Sequence, residues 1–265
     1  MRAFFRPLVT AAVAVPLYAF LLWLGLVSLV WNLVAMLLYP LLPARPGRTL
    51  GRAAIAGGYR GFWAVASMTG LMRIDARELD ALRDERGLIV VANHPTMLDA
   101  LLLVARLPRS ACIMKAELMR NVFLGAGARL ARYICNDSPR RMIKLAVRDL
   151  REGGQLVLFP EGTRTVEQPL NRFRPGVTLI AKMAQAPIQT VFIETNSAYL
   201  GKGWPLWRVP ALPVVFTLRL GQRFAPQQDS DALLRQLEQY FRHHMEPDAE
   251  TAPPACQSSR APTLS

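Results

Sequence analysis

The hydrophobic pattern changes character twice along the chain. Between Arg6 and Arg45 there is no Asp, Glu, Lys or Arg, and residues 7–44 read PLVTAAVAVPLYAFLLWLGLVSLVWNLVAMLLYPLLPA. As one helix these 38 residues would extend about 57 Å at the standard rise, against about 30 Å of bilayer hydrocarbon. One upright span therefore does not fit. Pro16 is expected to break the run and leave Leu17–Tyr39 as a helix of spanning length. The alternative is a helical hairpin or re-entrant pair turning near Gly25. A cleavable signal peptide, suggested by Arg2 and Arg6, needs an apolar segment of about 7–15 residues, far shorter than this one. A buried core helix is a poorer reading of so long an uncharged run.

Residues 45–71 mix Arg, Gly and aromatic side chains and predict a helix near a membrane surface. From about Met72 short apolar runs alternate with helical ones. Strands are expected at Leu88–Ala92, Ala111–Met114, Tyr133–Cys135, Leu156–Phe159, Ile188–Ile193 and Val214–Leu220. Helices are expected at Leu98–Arg106, Arg141–Arg151, Gly176–Gln185 and Asp231–His244. This alternation predicts an α/β fold with a central, mostly buried sheet flanked by helices, preceded by the N-terminal membrane helix or hairpin. Gly153-Gly154 should stop one helix, and Asp229 or Ser230 should cap the last. The division is thus 1–44 membrane-embedded, 45–71 juxtamembrane, 72–245 the α/β domain, and 246–265 a disordered tail rich in Pro, Ala and Ser.

Charge narrows the partners. The chain has 32 Lys+Arg against 19 Asp+Glu, a net +13. Such a balance favours polyanions, either nucleic acid or an anionic membrane face. Arg129, Arg132, Arg140, Arg141, Arg148 and Arg151 lack the interleaved aromatics of single-strand binders, so nucleic acid is set aside in favour of anionic membrane lipids. Arg45, Arg48, Arg52 and Arg60 outnumber Arg2 and Arg6, which predicts a cell (inner) membrane protein with its main domain in the cytoplasm. Cys112, Cys135 and Cys256 form no CxxC pair, so neither a disulfide framework nor structural zinc is expected.

The chemistry is expected where two strands end. Leu88–Ala92 runs directly into Asn93-His94-Pro95-Thr96-Met97-Leu98-Asp99, and strand C-terminal ends are where open α/β sheets bind ligands. Asp99 falls about one helical turn beyond Pro95, where it can reach the imidazole. A carboxylate on one ring nitrogen fixes the tautomer and leaves the other nitrogen to accept a proton near neutral pH. The competing reading is a capping box, Thr96-x-x-Asp99. The second segment, Leu156–Phe159, ends in Pro160-Glu161-Gly162-Thr163-Arg164. Its glycine permits close backbone approach, and its arginine offers a fork to phosphate or carboxylate.

Together, in this order, NHPTMLD and FPEGTR resemble the paired signature blocks of the glycerolipid (lysophosphatidate-type) acyltransferases, bacterial membrane-bound members included. The resemblance covers roughly residues 72–220. It implies transfer of a fatty acyl group from an acyl thioester, carried by acyl carrier protein or coenzyme A, to the hydroxyl of a lysophospholipid, foremost 1-acyl-glycerol-3-phosphate. It implies His94 as base, Asp99 as its orienting partner and no acyl-enzyme. Asn93, Glu161, Gly162, Thr163 and Arg164 would bind the acceptor, with Arg164 on its phosphate. Lys115, in Met114-Lys115-Ala116-Glu117, matches a looser block. Ala186–Val191 resembles a further one, but Phe192-Ile193 stand where a second proline is common, which bears on the acceptor. No metal or cofactor is implied. The alternatives are another lipid-linked acceptor, such as lyso-ornithine lipid or a metabolite headgroup, and a non-catalytic lipid-binding protein. The stretch Glu194–Trp204 is either a wall of the acceptor pocket or a plain surface loop. Gly125-Ala126-Gly127 is half of a dinucleotide fingerprint, without its third glycine.

Overall fold

The computed structural model describes residues 2–167, 169–205 and 207–245, with side chains from Ala14 onward. The expected tail at 246–265 and Cys256 lie outside the described residues.

The chain begins with a single helix, α1 (Arg2–Leu41), and turns at Leu42-Pro43 into α2 (Ala44–Met68). Pro16 does not break α1, and no turn forms at Gly25. Pro16 removes one amide from the ladder, its ring sits on an exposed face, and the packing of Leu17 and Phe20 on α2 holds the helix through it. The hairpin is α1–α2, closed by Pro43. Leu17 and Phe20 pack with Phe62, Trp63 and Ala66 of α2. Phe20 stacks on Phe62 with ring centroids 4.3 Å apart.

A mixed seven-stranded sheet follows. Its strands are β1 (Met72–Asp75), β2 (Leu88–Ala92), β3 (Ser110–Lys115), β4 (Ile134–Asn136), β5 (Gln155–Leu158), β6 (Ile188–Thr195) and β7 (Val214–Phe224). The spatial order is β1-β7-β6-β2-β5-β3-β4. β2 is parallel to both β5 and β6, whereas β7 is antiparallel to β6. All five β2 side chains are buried, as expected of a central parallel strand covered on both faces. β1 escaped the sequence reading. It has four residues, MRID, with one buried side chain, and it stands at an edge.

Helices α3 (Asp99–Arg106), α4 (Gly125–Leu130), α5 (Pro139–Arg151), α6 (Gly176–Ala184) and α7 (Ser230–Met245) cover the sheet. One face carries α2, α3 and part of α1, with Leu102, Leu103, Val90 and Phe216 in the core. The other carries α5, α6 and α7, with Ile89, Val91, Ile180, Leu237 and Phe241. Asp229 caps α7 by accepting the amides of Asp231 and Ala232.

α1 is docked along the domain. Trp31 covers Gly127 of α4, where a Cβ would stand 2.7 Å from its Nε1. Asn32 donates to the Val122 carbonyl and accepts from the Gly127 amide. The glycines of Gly125-Ala126-Gly127 thus serve close packing against the Met119 carbonyl and Trp31. α2 is held by Arg52, only 4% exposed. Its guanidinium bonds the Ala131 and Arg109 carbonyls and pairs with Asp149 of α5 at 2.7 Å. Gly51 beside it faces the Ala131 backbone, where a Cβ would come within 2.7 Å of the amide nitrogen.

Candidate active site

Two loops leave adjacent parallel strands at the same sheet edge, one after β2 and one after β5. The β2 loop places His94 and Asp99 together. His94 Nδ1 lies 2.8 Å from Asp99 Oδ2. With Asp99 ionised, the carboxylate has no hydrogen to give, so Nδ1 is the donor of this bond; Nε2 makes no hydrogen bond among the described residues. The His94 side chain keeps 18% of its surface accessible, whereas Asp99 is fully buried.

Asp99 reaches the imidazole and also the turn before α3, whose N-cap is Leu98 without a side-chain cap, so the pair Thr96 and Asp99 is not the helix-capping box. Besides His94, its Oδ2 accepts the Thr96 amide, and its Oδ1 accepts the Thr96 hydroxyl at 2.6 Å. Asp99 therefore braces the turn Pro95–Leu98 and the imidazole with one carboxylate. Burial pushes its carboxyl above the ordinary range, and the bonds from His94 and Thr96 oppose that shift.

The imidazole is also held on its face. Phe159, the residue before Pro160, stacks on it with centroids 4.0 Å apart. The sequence placed Phe159 in a strand and at the head of FPEGTR, with no role at the imidazole. Its position one residue beyond β5, the immediate neighbour of β2, is what brings the rings together.

Glu161 holds the two loops to each other. Its buried carboxylate accepts the His94 backbone amide at 3.0 Å and the Thr165 hydroxyl at 2.8 Å on Oε1, and the Asn171 amide at 3.0 Å on Oε2. Thr165 N–H returns a bond to the His94 carbonyl at 2.8 Å. Glu161 thus grips the backbone that carries the imidazole. Asn93 does the same from below, exchanging side-chain bonds with both backbone groups of Ile193 on β6. Gly162 has φ +71°, and a Cβ there would lie 2.5 Å from Arg174 Nε. The positive φ is what calls for glycine, since the Arg174 side chain could move aside. Thr163 is half-buried and makes no side-chain hydrogen bond among the described residues.

Arg164 is committed in part. Its Nη1 donates to the Leu200 carbonyl at 2.8 Å and the Gly201 carbonyl at 2.9 Å. The Met97 amide donates to the same Leu200 carbonyl. The stretch after β6 is therefore tied to both site loops at Leu200 and Gly201. Lys115 stands exposed at the end of β3, two strands from β2, without a side-chain hydrogen bond among the described residues. No group of three or more His, Cys, Asp or Glu among the described residues could hold a metal.

Residues 73–194 match the acyltransferase family model. The chain carries an acyltransferase-family domain. Human 1-acyl-sn-glycerol-3-phosphate acyltransferase beta is 30% identical over 58% of this chain and 56% of its own length. Mouse lysophospholipid acyltransferase LPCAT4 is 30% identical over 58% of this chain and 30% of its own. The 1-acyl-sn-glycerol-3-phosphate acyltransferase of Pseudomonas aeruginosa is 24% identical over 70% and 73%. The chain thus spans about half or less of the first two relatives. The crystal structure of PlsC, the 1-acyl-sn-glycerophosphate (LPA) acyltransferase of Thermotoga maritima, aligns with a TM-score of 0.66 over 93% of this chain and 97% of that one. At 20% identity that likeness speaks for the fold. All the residues discussed after β2 and β5 up to Arg164 fall inside the acyltransferase domain.

Proposed function

We propose that this chain is a membrane-bound O-acyltransferase that moves a fatty acyl group from an acyl thioester to the hydroxyl of a lysophospholipid, foremost 1-acyl-glycerol-3-phosphate. The observation that carries the reading is the His94 Nδ1–Asp99 pair at a strand end with Nε2 left open. Nε2 takes the proton of the acceptor hydroxyl as its oxygen attacks the thioester carbonyl. The tetrahedral intermediate collapses with cleavage of the C–S bond. The imidazolium then returns its proton to the departing thiolate, and Asp99 stabilises the ring's charge in between. Positioned proton transfer of this kind contributes about 10²–10⁴-fold. Arg164 has Nη2 available for the acceptor phosphate while Nη1 is held by the loop. The donor is acyl carrier protein or coenzyme A.

The membrane reading rests on α1. Within Ala14–Leu41 the most apolar 18-residue stretch has a mean hydropathy of 2.2, and 11% of that stretch is buried. Leu17, Phe20, Ala35 and Leu38 face the protein. Val15, Leu22, Leu26, Val30, Leu33 and Leu37 line an exposed apolar face. A docked helix with such an outer face suits one sunk lengthwise into a leaflet, with segment 1–44 as the embedded part. The domain is placed on the cytoplasmic side of the inner membrane. Arg48 and Arg52, two of the flanking cations behind that placement, also serve as ion-pair partners of Asp149 and Glu152.

The test is thiol release by the full chain in detergent, with either donor, against lysophosphatidate and a panel of other lipid acceptors. Release that requires lysophosphatidate supports the reading. Release only with another lipid moves the activity to that acceptor, and no acceptor-dependent release with either donor leaves a lipid-binding protein. Arg164→Ala is expected to raise KM for a phosphate-bearing acceptor more than it lowers kcat.

A further inference from the structure

The stretch that links β6 to β7 has two halves with different surroundings. The inner half belongs to the site: Leu200 and Gly201 receive Arg164, and Leu200 also receives the Met97 amide. Tyr199 and Leu200 are buried in the same core as Leu17 and Phe20 of α1. Tyr18 of α1 lies near enough to Tyr199 to add to the burial that pushes its phenol up to about 12. The loop therefore sits beside the N-terminal half of the apolar helix.

The outer half is built differently. Lys202 and Gly203 are exposed. Arg208 stacks over the Trp204 ring at 4.7 Å, and Trp204 Nε1 donates to the Arg208 carbonyl at 3.0 Å. Trp207 is 82% exposed, the most exposed aromatic side chain among the described residues. No acidic residue occurs between Tyr199 and Pro213. The bare indole of Trp207 is flanked by the cations Lys202 and Arg208. It fits the headgroup layer of a bilayer, where an amphipathic ring finds both an apolar and a wet side and cations find anionic lipid.

We infer that Lys202, Trp204, Trp207 and Arg208 form a second bilayer contact, seated among anionic lipid headgroups beside α1 and joined through Leu200-Gly201 to Arg164 and the His94 loop. The inference rests on the membrane reading of α1 and not on the identity of the acceptor. Docking on the bilayer would then position Arg164 as well as hold the protein near a lipid substrate.

The test reconstitutes the full chain into phosphatidylcholine vesicles with and without phosphatidylglycerol, and compares it with Trp207→Phe. The difference in tryptophan emission isolates Trp207. Blue-shifted emission, quenched by lipids brominated near the headgroup and stronger with phosphatidylglycerol, is the expected result. Red emission quenched by aqueous iodide in both vesicle types would overturn the inference, and would leave the turn to a soluble partner. This readout needs no turnover, so it stands apart from the acyltransferase reading. Where turnover is measured, the pair Lys202→Glu with Arg208→Glu is expected to cut transfer to a vesicle-borne acceptor at least about 25-fold, since each headgroup attraction is worth about fivefold. Transfer to a short-chain, monodisperse acceptor should be unchanged. An equal loss with both acceptors would place the turn in the site and contradict a bilayer role.

Discussion

Asp99 and Asp149 are both buried aspartates that hold an element of the chain against the sheet, yet their partners differ in kind. Asp149 meets Arg52 at 2.7 Å and Arg48 at 3.1 Å. Arginine stays charged at any working pH, so this pair is a permanent clamp between α2 and α5. Asp99 meets His94 and Thr96. Its main partner can gain and lose a proton, so the same kind of burial yields a pair whose charge can change during a reaction. The difference teaches where to look for chemistry in this protein. A buried carboxylate marks a site when its partner is titratable and partly open to solvent, and marks a staple when its partner is a fixed cation.

Substitutions can separate the two. The largest effect is expected from His94→Ala, with acyl transfer falling by about 10²–10⁴-fold and the melting temperature nearly kept, since the ring is partly exposed. Asp149→Ala should show the reverse. It leaves Arg52 buried without its counter-charge, at a cost of about 3–5 kcal/mol in stability, read as a lowered melting temperature in detergent. The rate per folded molecule should hold. Loss of activity without loss of stability in Asp149→Ala would erase the contrast.

Asp99→Asn comes next. The amide can keep its oxygen toward His94 and the Thr96 amide and turn its NH₂ toward the Thr96 hydroxyl, which rotates to accept. Geometry survives and only the charge goes, so transfer should fall about 10²-fold. Stability should not fall with it. A carboxyl whose pKa is higher in the folded chain than in the unfolded one stabilises the fold at acid pH, and that contribution is lost as pH rises through the folded value. With Asp99 raised in this way, its charge is a net cost at neutral pH, and the neutral amide removes that cost. A sharply lowered melting temperature would mark Asp99 as a staple like Asp149. The smallest effect is expected from Asp80→Ala. Its pair with Arg106 at 3.1 Å is open to solvent and should contribute about 0–1 kcal/mol.

The two loops were legible in unequal measure. The β2 strand was expected at Leu88–Ala92 and spans those residues, because a continuous run of five apolar side chains has one good place in a sheet. The spacing let Asp99 reach His94, with a helix cap as the competing reading. The work of the second loop did not follow from spacing. Glu161 is a backbone clamp, and half of Arg164 is spent on Leu200 and Gly201. Both facts depend on which strands become neighbours, which no local pattern encodes. Phe159 under the imidazole and Asn171 on Glu161 have the same origin. At the N-terminus local propensity misled. Pro16 signals a break, but one missing amide is a small loss in a helix whose Leu17, Phe20, Ala35 and Leu38 pack on the domain. β1 was invisible for the opposite reason, being a short edge strand whose place is set by β7.

The central claim is that His94 acts as the base in a direct transfer from thioester to lipid hydroxyl. The most direct measurement is acceptor-dependent thiol release by wild type and His94→Ala under identical conditions, with equal folding verified. The account predicts release that needs acceptor in the wild type and is reduced at least about a hundredfold in the variant. Comparable acceptor-dependent release in His94→Ala would contradict it.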